Sequence, residues 1–460
     1  MSVIAAAYSS YTTWSISQAG TADAGTKDGT ASTLGGTSPS APYASATTVS
    51  ISYRAKLLLA RASAEQSVVD QLQAQVNAFR TSGTNDGLSG GIDLFQIISG
   101  AGNDSIKVQA NNATIDAGAG NDVIDTYAHA NIVAGEGDDV VSTYRHSTVD
   151  GGAGNDRIST YAHATVTGGD GDDHISTYDY SSVSGGNGND RIETDANSTL
   201  DGGAGDDVLS ANANSSLSGG AGNDMLNAGD NSTLDGGAGD DVLSAYAYSS
   251  LDGGAGNDKL SADHNATLDG GSGDDILSAG HQSTLRGGDG NDSLNAYDQA
   301  NLSGGAGNDR IDAYDNAVVD AGTGNDTVTT YSHATVSAGD GDDYVLTNDF
   351  SVVDGGAGND AIQVGESSTV TGGAGNDQIW VTGANSTINF AKGDGHDVVR
   401  VDNGSDGVDL SISGYSLNDV IVTQQYGRTT VNFKGSNDSL VFNGSARLSF
   451  ADHTSVDIRA

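Results

Sequence analysis

Between residues 92 and 392 apolar side chains enter a polar, glycine-rich chain one at a time, at two fixed phases. The phases are set against an Asp that recurs at Asp104 and Asp122 and then every seventeen residues, at Asp139, Asp156, Asp173, Asp190, Asp207, Asp224, Asp241, Asp258, Asp275, Asp292, Asp309, Asp326, Asp343, Asp360 and Asp377. Two residues beyond each Asp stands an aliphatic side chain, from Ile106 and Ile124 through Leu209 and Leu243 to Ile379. A second aliphatic stands two residues before most of the glycine pairs, at Ile132, Val149, Val166, Val183, Leu200, Leu217 and Leu234 and onward to Val370 and Ile388. Each unit reads as a glycine-rich turn, a short strand, a polar turn and a second short strand. A unit of this size cannot bury an apolar side alone, so neighbours must stack. The pattern predicts an all-β parallel solenoid with about 17 rungs, spaced by about 4.8 Å. The two ladders face each other across a thin core. They change type together, Val and Ile near the ends and Leu from about residue 200 to 302, as neighbours sharing one narrow core would.

The flanks carry other patterns. Residues 1–50 are rich in Ser, Thr, Ala and Gly, hold both prolines (Pro39 and Pro42) and show no periodicity, which reads as a flexible segment. Within 51–80, Ser52 can cap a helix running through Ala55, Leu58, Ala62, Gln66, Val69, Leu72, Val76 and Phe79. Its stripe Val69, Leu72, Val76 and Phe79 needs cover, so the helix is expected to cap the first rungs; 81–91 reads as a linker. At the other end, Gly393-Asp394-Gly395-His396-Asp397 is a degenerate turn. From Val398 the pattern predicts antiparallel β, with Val408-Leu410-Ile412, Val420-Ile421-Val422, Thr429-Val431-Phe433 and Leu440-Val441-Phe442 separated by turns at Gly414, Gly427 and Gly435. Residues 393–460 are thus expected to cap the open end.

Charge narrows the partners. The chain carries a formal net charge of -43, which argues against nucleic acid and anionic membrane and for cations. Cysteine is absent, so disulfides and thiolate metal sites are ruled out. No apolar run reaches the length of a membrane span. The start, Met1-Ser2-Val3-Ile4, lacks the basic residues and apolar core of a signal peptide, so an export address is expected elsewhere. His-Glu-x-x-His does not occur, and the expectation is a protein that is not an enzyme.

The frame Gly-Gly-x-Gly-Asn/Asp-Asp-x-aliphatic-x, as in Gly151 to Ser159, resembles the calcium-binding nonapeptide of the RTX (repeats-in-toxin, haemolysin-type) proteins. The resemblance implies a right-handed parallel β-roll. It also implies Ca2+ held in the glycine-rich turns by backbone carbonyls and by the Asp side chains of successive rungs, that is, by the seventeen Asp residues named above. Ser449-Phe450-Ala451-Asp452-His453-Thr454 resembles the Phe-Ala-Asp-Gly-Thr segment near the end of such chains, with His453 where Gly is usual. It implies an uncleaved C-terminal signal read by the type I secretion machinery. The chemistry of the turns is compatible, since calcium takes six to eight oxygens in flexible geometry and a file of stacked carboxylates repels itself unless cations intervene.

The sequence departs from a two-sided roll in the other half of each unit. There the position equivalent to the Asp is Ala or Ser, from Ala130, Ser147 and Ala164 to Ser368 and Ser386, and the paired glycines are missing. Calcium is therefore expected along one edge only, with hydrogen bonds closing the other. That other edge carries Tyr127, Tyr144, Tyr161 and Tyr178, then Tyr297, Tyr314 and Tyr331, and beside them His129, His146, His163, Tyr180 and His333. They read as rings stacked at a tight turn or as a strip for glycan; no carboxylate frames the histidines, which disfavours a transition-metal site. In the Asp edge, the residue before the Asp is itself Asp at Asp138, Asp172, Asp206, Asp240 and Asp274 and Asn in the rungs between, a 34-residue alternation that spaces the extra charge or records duplication of a two-rung unit.

Together these readings predict a secreted, extracellular or cell-surface protein that folds on calcium and serves in a surface layer, matrix or adhesion. Its expected partners are calcium ions, the type I secretion machinery, and cell-surface glycans or like chains. One alternative is an accessory glycan-binding module working beside a polysaccharide-modifying enzyme. Another is an ice-binding rod, disfavoured because the outward turn residue is mostly Ala, with Thr323 an exception.

Overall fold

The computed structural model describes residues 95–402 and 407–459, together with the backbone of three short strands, Ser15–Gln18, Thr47–Ile51 and Gly87–Gly90. The chain divides into two compact units, Met1–Ser216 and Leu217–Ala460. Both are parallel β-solenoids, with about eighteen turns and almost no helix among the described residues.

In the first unit, Thr148–Ala153 runs into a glycine-rich turn and Arg157–Ser159 runs out of it. The inbound strand pairs in parallel with Asn131–Glu136 and Thr165–Asp170, which places Val149 between Ile132 and Val166. The outbound strand pairs with Val140–Ser142 and His174–Ser176, which places Ile158 between Val141 and Ile175. The second unit repeats the arrangement. There Ser250–Ala255 lies between Thr233–Ala238 and Thr267–Ser272, and Lys259–Ala262 between Val242–Ala245 and Ile276–Ala279. Each coil thus gives one strand to an inbound sheet and one to an outbound sheet, in a register set by the seventeen-residue period.

Side chains alternate across the strands, and each repeat strand points an aliphatic inward, as at Ile158, Val149, Leu243 and Leu251, all at most 1 % exposed. Burying each contributes roughly 1.5–3 kcal/mol. A further inward row was not anticipated: Thr126, Thr143 and Thr160 in the first unit and Ala228, Ala279 and Ala296 in the second are all buried. Their small volume suits the narrow end of the coil, and Thr126 Oγ1 donates to Thr143 Oγ1 at 2.8 Å.

At the N-terminal side, Ser15–Gln18 pairs antiparallel with Thr47–Ile51, which runs parallel to Gly87–Gly90, itself parallel to Ser105–Val108. These strands fall in stretches that the sequence reading left as a flexible segment and a linker. The helix expected within 51–80, with its stripe Val69, Leu72, Val76 and Phe79, lies outside the described residues.

The C-terminal part corrects one expectation. Antiparallel strands are present, but the parallel coil runs further than Val398. His396–Val401 adds in parallel to Gln378–Val381, and Val408–Ile412 to Thr387–Phe390. Ser439–Asn443 and Ala446–Phe450 then add in parallel to those. The antiparallel pairs are Val420–Gln425 with Arg428–Phe433, Arg428–Phe433 with Ser439–Asn443, and the last strand, Ser455–Ile458, on Ala446–Phe450. Alternation of period two cannot distinguish the two directions, which is why the sequence pattern alone misjudged them. In the final turn His453 adopts φ 65°, a left-handed conformation that the Gly of the similar RTX segment would hold without strain.

Candidate metal centre

The turn Gly151-Gly152-Ala153-Gly154-Asn155-Asp156 shows why each glycine is needed. Gly152 and Gly154 have φ of 107° and 126°, and a Cβ on either would collide with a carbonyl of the preceding turn. Gly151 carries no such φ. A Cβ there would instead strike Asp156 Oδ2 and the carbonyl oxygen of Gly168 in the next turn. The same pair of oxygens closes on Gly185, Gly253 and Gly287. The first glycine therefore leaves room where a carboxylate and a main-chain carbonyl from successive turns converge.

The Asp residues stack in one file within each unit. Asp156 is 1 % exposed; its N–H donates to Asp173 Oδ1 at 2.7 Å, and its own Oδ1 accepts from the Asp139 N–H at 2.8 Å. The same step recurs from Asp104 to Asp207 and from Asp224 to Asp377. All seventeen residues read as metal ligands are buried on this edge. The structure adds another that the sequence reading passed over: the Asp377 N–H donates to Oδ1 of the buried Asp397 at 3.1 Å. The signal was present in the degenerate turn Gly393-Asp394-Gly395-His396-Asp397, but its twenty-residue step hid the register.

One oxygen of each carboxylate is thus used. The other, Oδ2, is buried and has no hydrogen-bond partner in the repeat aspartates from Asp122 to Asp190 and from Asp241 to Asp377. An orphaned buried acceptor of this kind is costly, and more so when charged. The carboxyls respond accordingly. Burial pushes Asp122, Asp156 and Asp190 up to about 7, against the opposing pull of a backbone N–H and with help from neighbouring Asp charges. Asp241, Asp275, Asp326 and Asp360 also rise to about 7, and Asp397 to about 8, for the same reasons. The bare file prefers to hold protons or another cation.

Its donor chemistry fits calcium. The convergent atoms are carboxylate and carbonyl oxygens, hard donors suited to a cation that accepts six to eight of them. Among the described residues no three His, Asp or Glu side chains gather into a compact metal cluster, so an ion here needs the main-chain carbonyls as much as the carboxylate. The turns that begin with Ala instead of Gly, at Ala117, Ala134, Ala321 and Ala338, place a buried methyl where the others leave space.

Outside the file runs a second ladder of opposite sense. The Asn155 N–H donates to Asp138 Oδ1 at 3.0 Å and the Asp172 N–H to Asn155 Oδ1 at 3.0 Å. Where Asn follows Asp, its amide can also reach down: Asn257, Asn291 and Asn359 Nδ2 donate to Asp240, Asp274 and Asp342 Oδ1 at 3.2, 3.0 and 2.9 Å. An Asp in place of the Asn would bring a second charge and no donor. The 34-residue alternation therefore has a structural reason besides duplication.

The opposite edge uses serine for the step that Asp performs here. The Ala130 N–H donates to Ser147 Oγ and the Ser181 N–H to Ser198 Oγ, both at 3.2 Å. Ser147 Oγ donates in turn to the Tyr144 carbonyl at 3.0 Å. His129, His146 and His163 sit at φ of 60–61°, with Tyr180, Asn197 and Asn214 at 58–60°. The rings stack from turn to turn: Tyr127, Tyr144, Tyr161 and Tyr178 at centroid spacings of 4.9–5.3 Å, and His129, His146, His163 and Tyr180 at 4.7–5.1 Å.

Comparison with known families finds the RTX calcium-binding nonapeptide repeat in ten stretches that together run, with short breaks, from residue 96 to 328. Repeats of that family bind Ca2+. No curated protein matches the chain.

Proposed function

The chain is an RTX calcium-binding repeat protein, and from that premise we propose that it is a secreted, non-enzymatic protein whose coils fold on extracellular calcium and serve in a surface layer, matrix or adhesion. The observation that carries this reading is the row of buried Oδ2 atoms without partners. Calcium, when bound, supplies the positive charge and oxygen affinity that the file lacks. The chain's own residues do the rest. Oδ1 of each Asp fixes the turn before it, the first glycine leaves the space, and the next turn's carbonyl completes the oxygen pair. Where calcium is scarce, like charges one rung apart oppose closure and the chain stays open enough to be exported through the type I machinery. Where it is plentiful, each site at a tenfold excess over Kd adds about 1.4 kcal/mol, and many sites together decide folding.

The aromatic strip does not favour the glycan-module reading. A sugar stacks on a ring face, and both faces of Tyr144 and Tyr161 are covered by neighbours at 4.9–5.3 Å. The test of the main reading is circular dichroism and thermal melting of the full chain during a calcium titration, with magnesium as control. The β spectrum should appear with calcium and not with magnesium. Identical spectra and melting temperatures in EGTA and in millimolar Ca2+ would end it.

A further inference from the structure

In a chain of net charge -43, one surface is almost without acid. In the second unit the outbound strands from Met225–Ala228 to Gln378–Val381 show two outward positions per rung. The first holds no Asp or Glu over its whole length, and the second holds only Asp312, which Arg310 neutralises at 2.7 Å. On four consecutive rungs the first position is Met225, Val242, Lys259 and Ile276. Met225, Val242 and Ile276 are 52 %, 39 % and 51 % exposed. Lys259 makes no ion pair among the described residues, and its stem continues the apolar stripe. The outward face of the inbound sheet is the reverse: Asp235, Asp252 and Asp269 stack on successive rungs there. The first unit shows the contrast less clearly: Val123, Val140 and Arg157 lie on its outbound face, but so do Asp125 and Glu193, each paired with a basic side chain.

We propose that this outbound face is the contact surface for a second copy of the chain, packed sheet against sheet about a two-fold axis. The inference rests on the calcium-folded coil and names its partner. With calcium in the Asp file, two copies still repel through the outward carboxylates, as along the inbound sheet, and this is the face on which they can meet. About ten rungs at about 4.8 Å, across about 13 Å of strand, offer roughly 600 Å2 a copy. The total of roughly 1,200 Å2 lies at the lower limit of stable interfaces, so the dimer is weak and concentration-dependent. An apolar contact between like-charged bodies tightens as salt screens them, whereas a contact built on opposite charges loosens.

Sedimentation velocity of the calcium-loaded full chain, from about 1 to about 100 μM at low and high salt, tests this. The expected result is a monomer–dimer equilibrium that tightens with salt. Val242→Asp with Ile276→Asp should weaken it at least tenfold, and Thr267→Asp on the inbound face should not. Because the chain has no cysteine, Asn295→Cys, near the middle of the outbound face, should yield a disulfide-linked dimer under mild oxidation while Thr267→Cys does not. A chain that stays monomeric throughout, a dimer that survives the paired substitution, or one that Thr267→Asp disrupts overturns the proposal. Circular dichroism of the same samples reports folding separately, so a full β spectrum with a monomeric boundary sinks the dimer and leaves the calcium reading standing.

Discussion

The two edges of the coil solve one problem with different side chains. At each, a side-chain oxygen accepts the backbone N–H of the turn before: Asp173 Oδ1 from Asp156 on one, Ser198 Oγ from Ser181 on the other. The serine hydroxyl brings its own proton and gives it to a nearby carbonyl, as Ser181 does to Tyr178 at 2.9 Å. The carboxylate brings no proton, so its second oxygen is left buried beside a carbonyl. On the reading proposed above, one edge closes by itself and the other needs protons or a metal ion on its second oxygens. Because both belong to every turn, the dependence of one edge becomes the dependence of the whole coil.

Removing calcium is the strongest way to break the comparison. It should cost most of the β signal, and retention of that signal would mean that the Asp edge also closes by itself. Acid offers a partial substitute. The repeat carboxyls rise to about 6 or 7 in the metal-free coil, as at Asp139, Asp156 and Asp173, from about 3.9 in an unfolded chain. Between those values the coil binds more protons than the unfolded chain, so its stability falls as pH rises through about 4 to 7 and levels off above. Metal-stripped protein should therefore show more β structure at pH 5 than at pH 8, and less calcium should be needed for half-folding at the lower pH, although protons competing for the same oxygens weaken each site's apparent calcium affinity there. Equal spectra at both pH values in the absence of metal would contradict the buried, unpaired state of these carboxylates.

Exchanging the edges' chemistry at single turns sharpens the contrast. Ser249 is buried and accepts from the Ser232 N–H at 3.2 Å. Ser249→Asp removes the proton that the hydroxyl offers the Gly229 and Ala247 carbonyls at 3.4 and 3.5 Å, puts a carboxylate against those oxygens with no glycine frame to make room for a cation, and should cost about 3–5 kcal/mol in calcium, as an uncompensated buried charge does. Asp258→Asn acts the other way on the metal-free chain. It keeps the acceptor for the Asp241 N–H and puts an amide donor beside the Gly270 carbonyl. Metal-free stability should rise, while calcium-loaded stability falls by about 1.4 kcal/mol at a tenfold excess over Kd. Melting with and without calcium separates the two signs.

Much of this was legible in the sequence because the period fixes neighbours. Once the turns stack at seventeen residues, Asp156 must lie on Asp139 and Asp173, and Ile158 on Val141 and Ile175. That the buried Asp file runs along one edge only followed from the Ala and Ser at the matching position of the other. What the period did not carry was anything off its beat. Asp397 joins the file after a twenty-residue step, and the parallel strands Ser439–Asn443 and Ala446–Phe450 return to the coil after an inserted hairpin. The buried Thr126, Thr143 and Thr160 kept the beat but are polar, so a search for apolar ladders passed over them. The orphaned Oδ2 could not be read at all without the turn geometry, since the sequence gives a carboxylate but not which of its oxygens is used.

The smallest predicted effect lies on the serine edge, and it asks whether the two edges are independent. Tyr161 stacks on Tyr144 at 4.9 Å and 2° and on Tyr178 at 5.0 Å and 10°, with 42 % of its surface exposed. Each such pair is worth about 0.5–1.5 kcal/mol beyond its burial, and the main chain of this turn is held whether or not the ring is there, by the Ala164 N–H donating to Ser181 Oγ at 3.3 Å and by Thr160 Oγ1 donating to the Tyr161 carbonyl at 3.2 Å. Tyr161→Ala should therefore lower the melting temperature of the calcium-loaded chain by no more than a few degrees and leave the calcium midpoint where it was. A midpoint that moves severalfold would mean that ring stacking pulls the turns to the spacing the carboxylates need. The serine edge would then set the metal affinity of the other, and the two could no longer be treated as separate solutions.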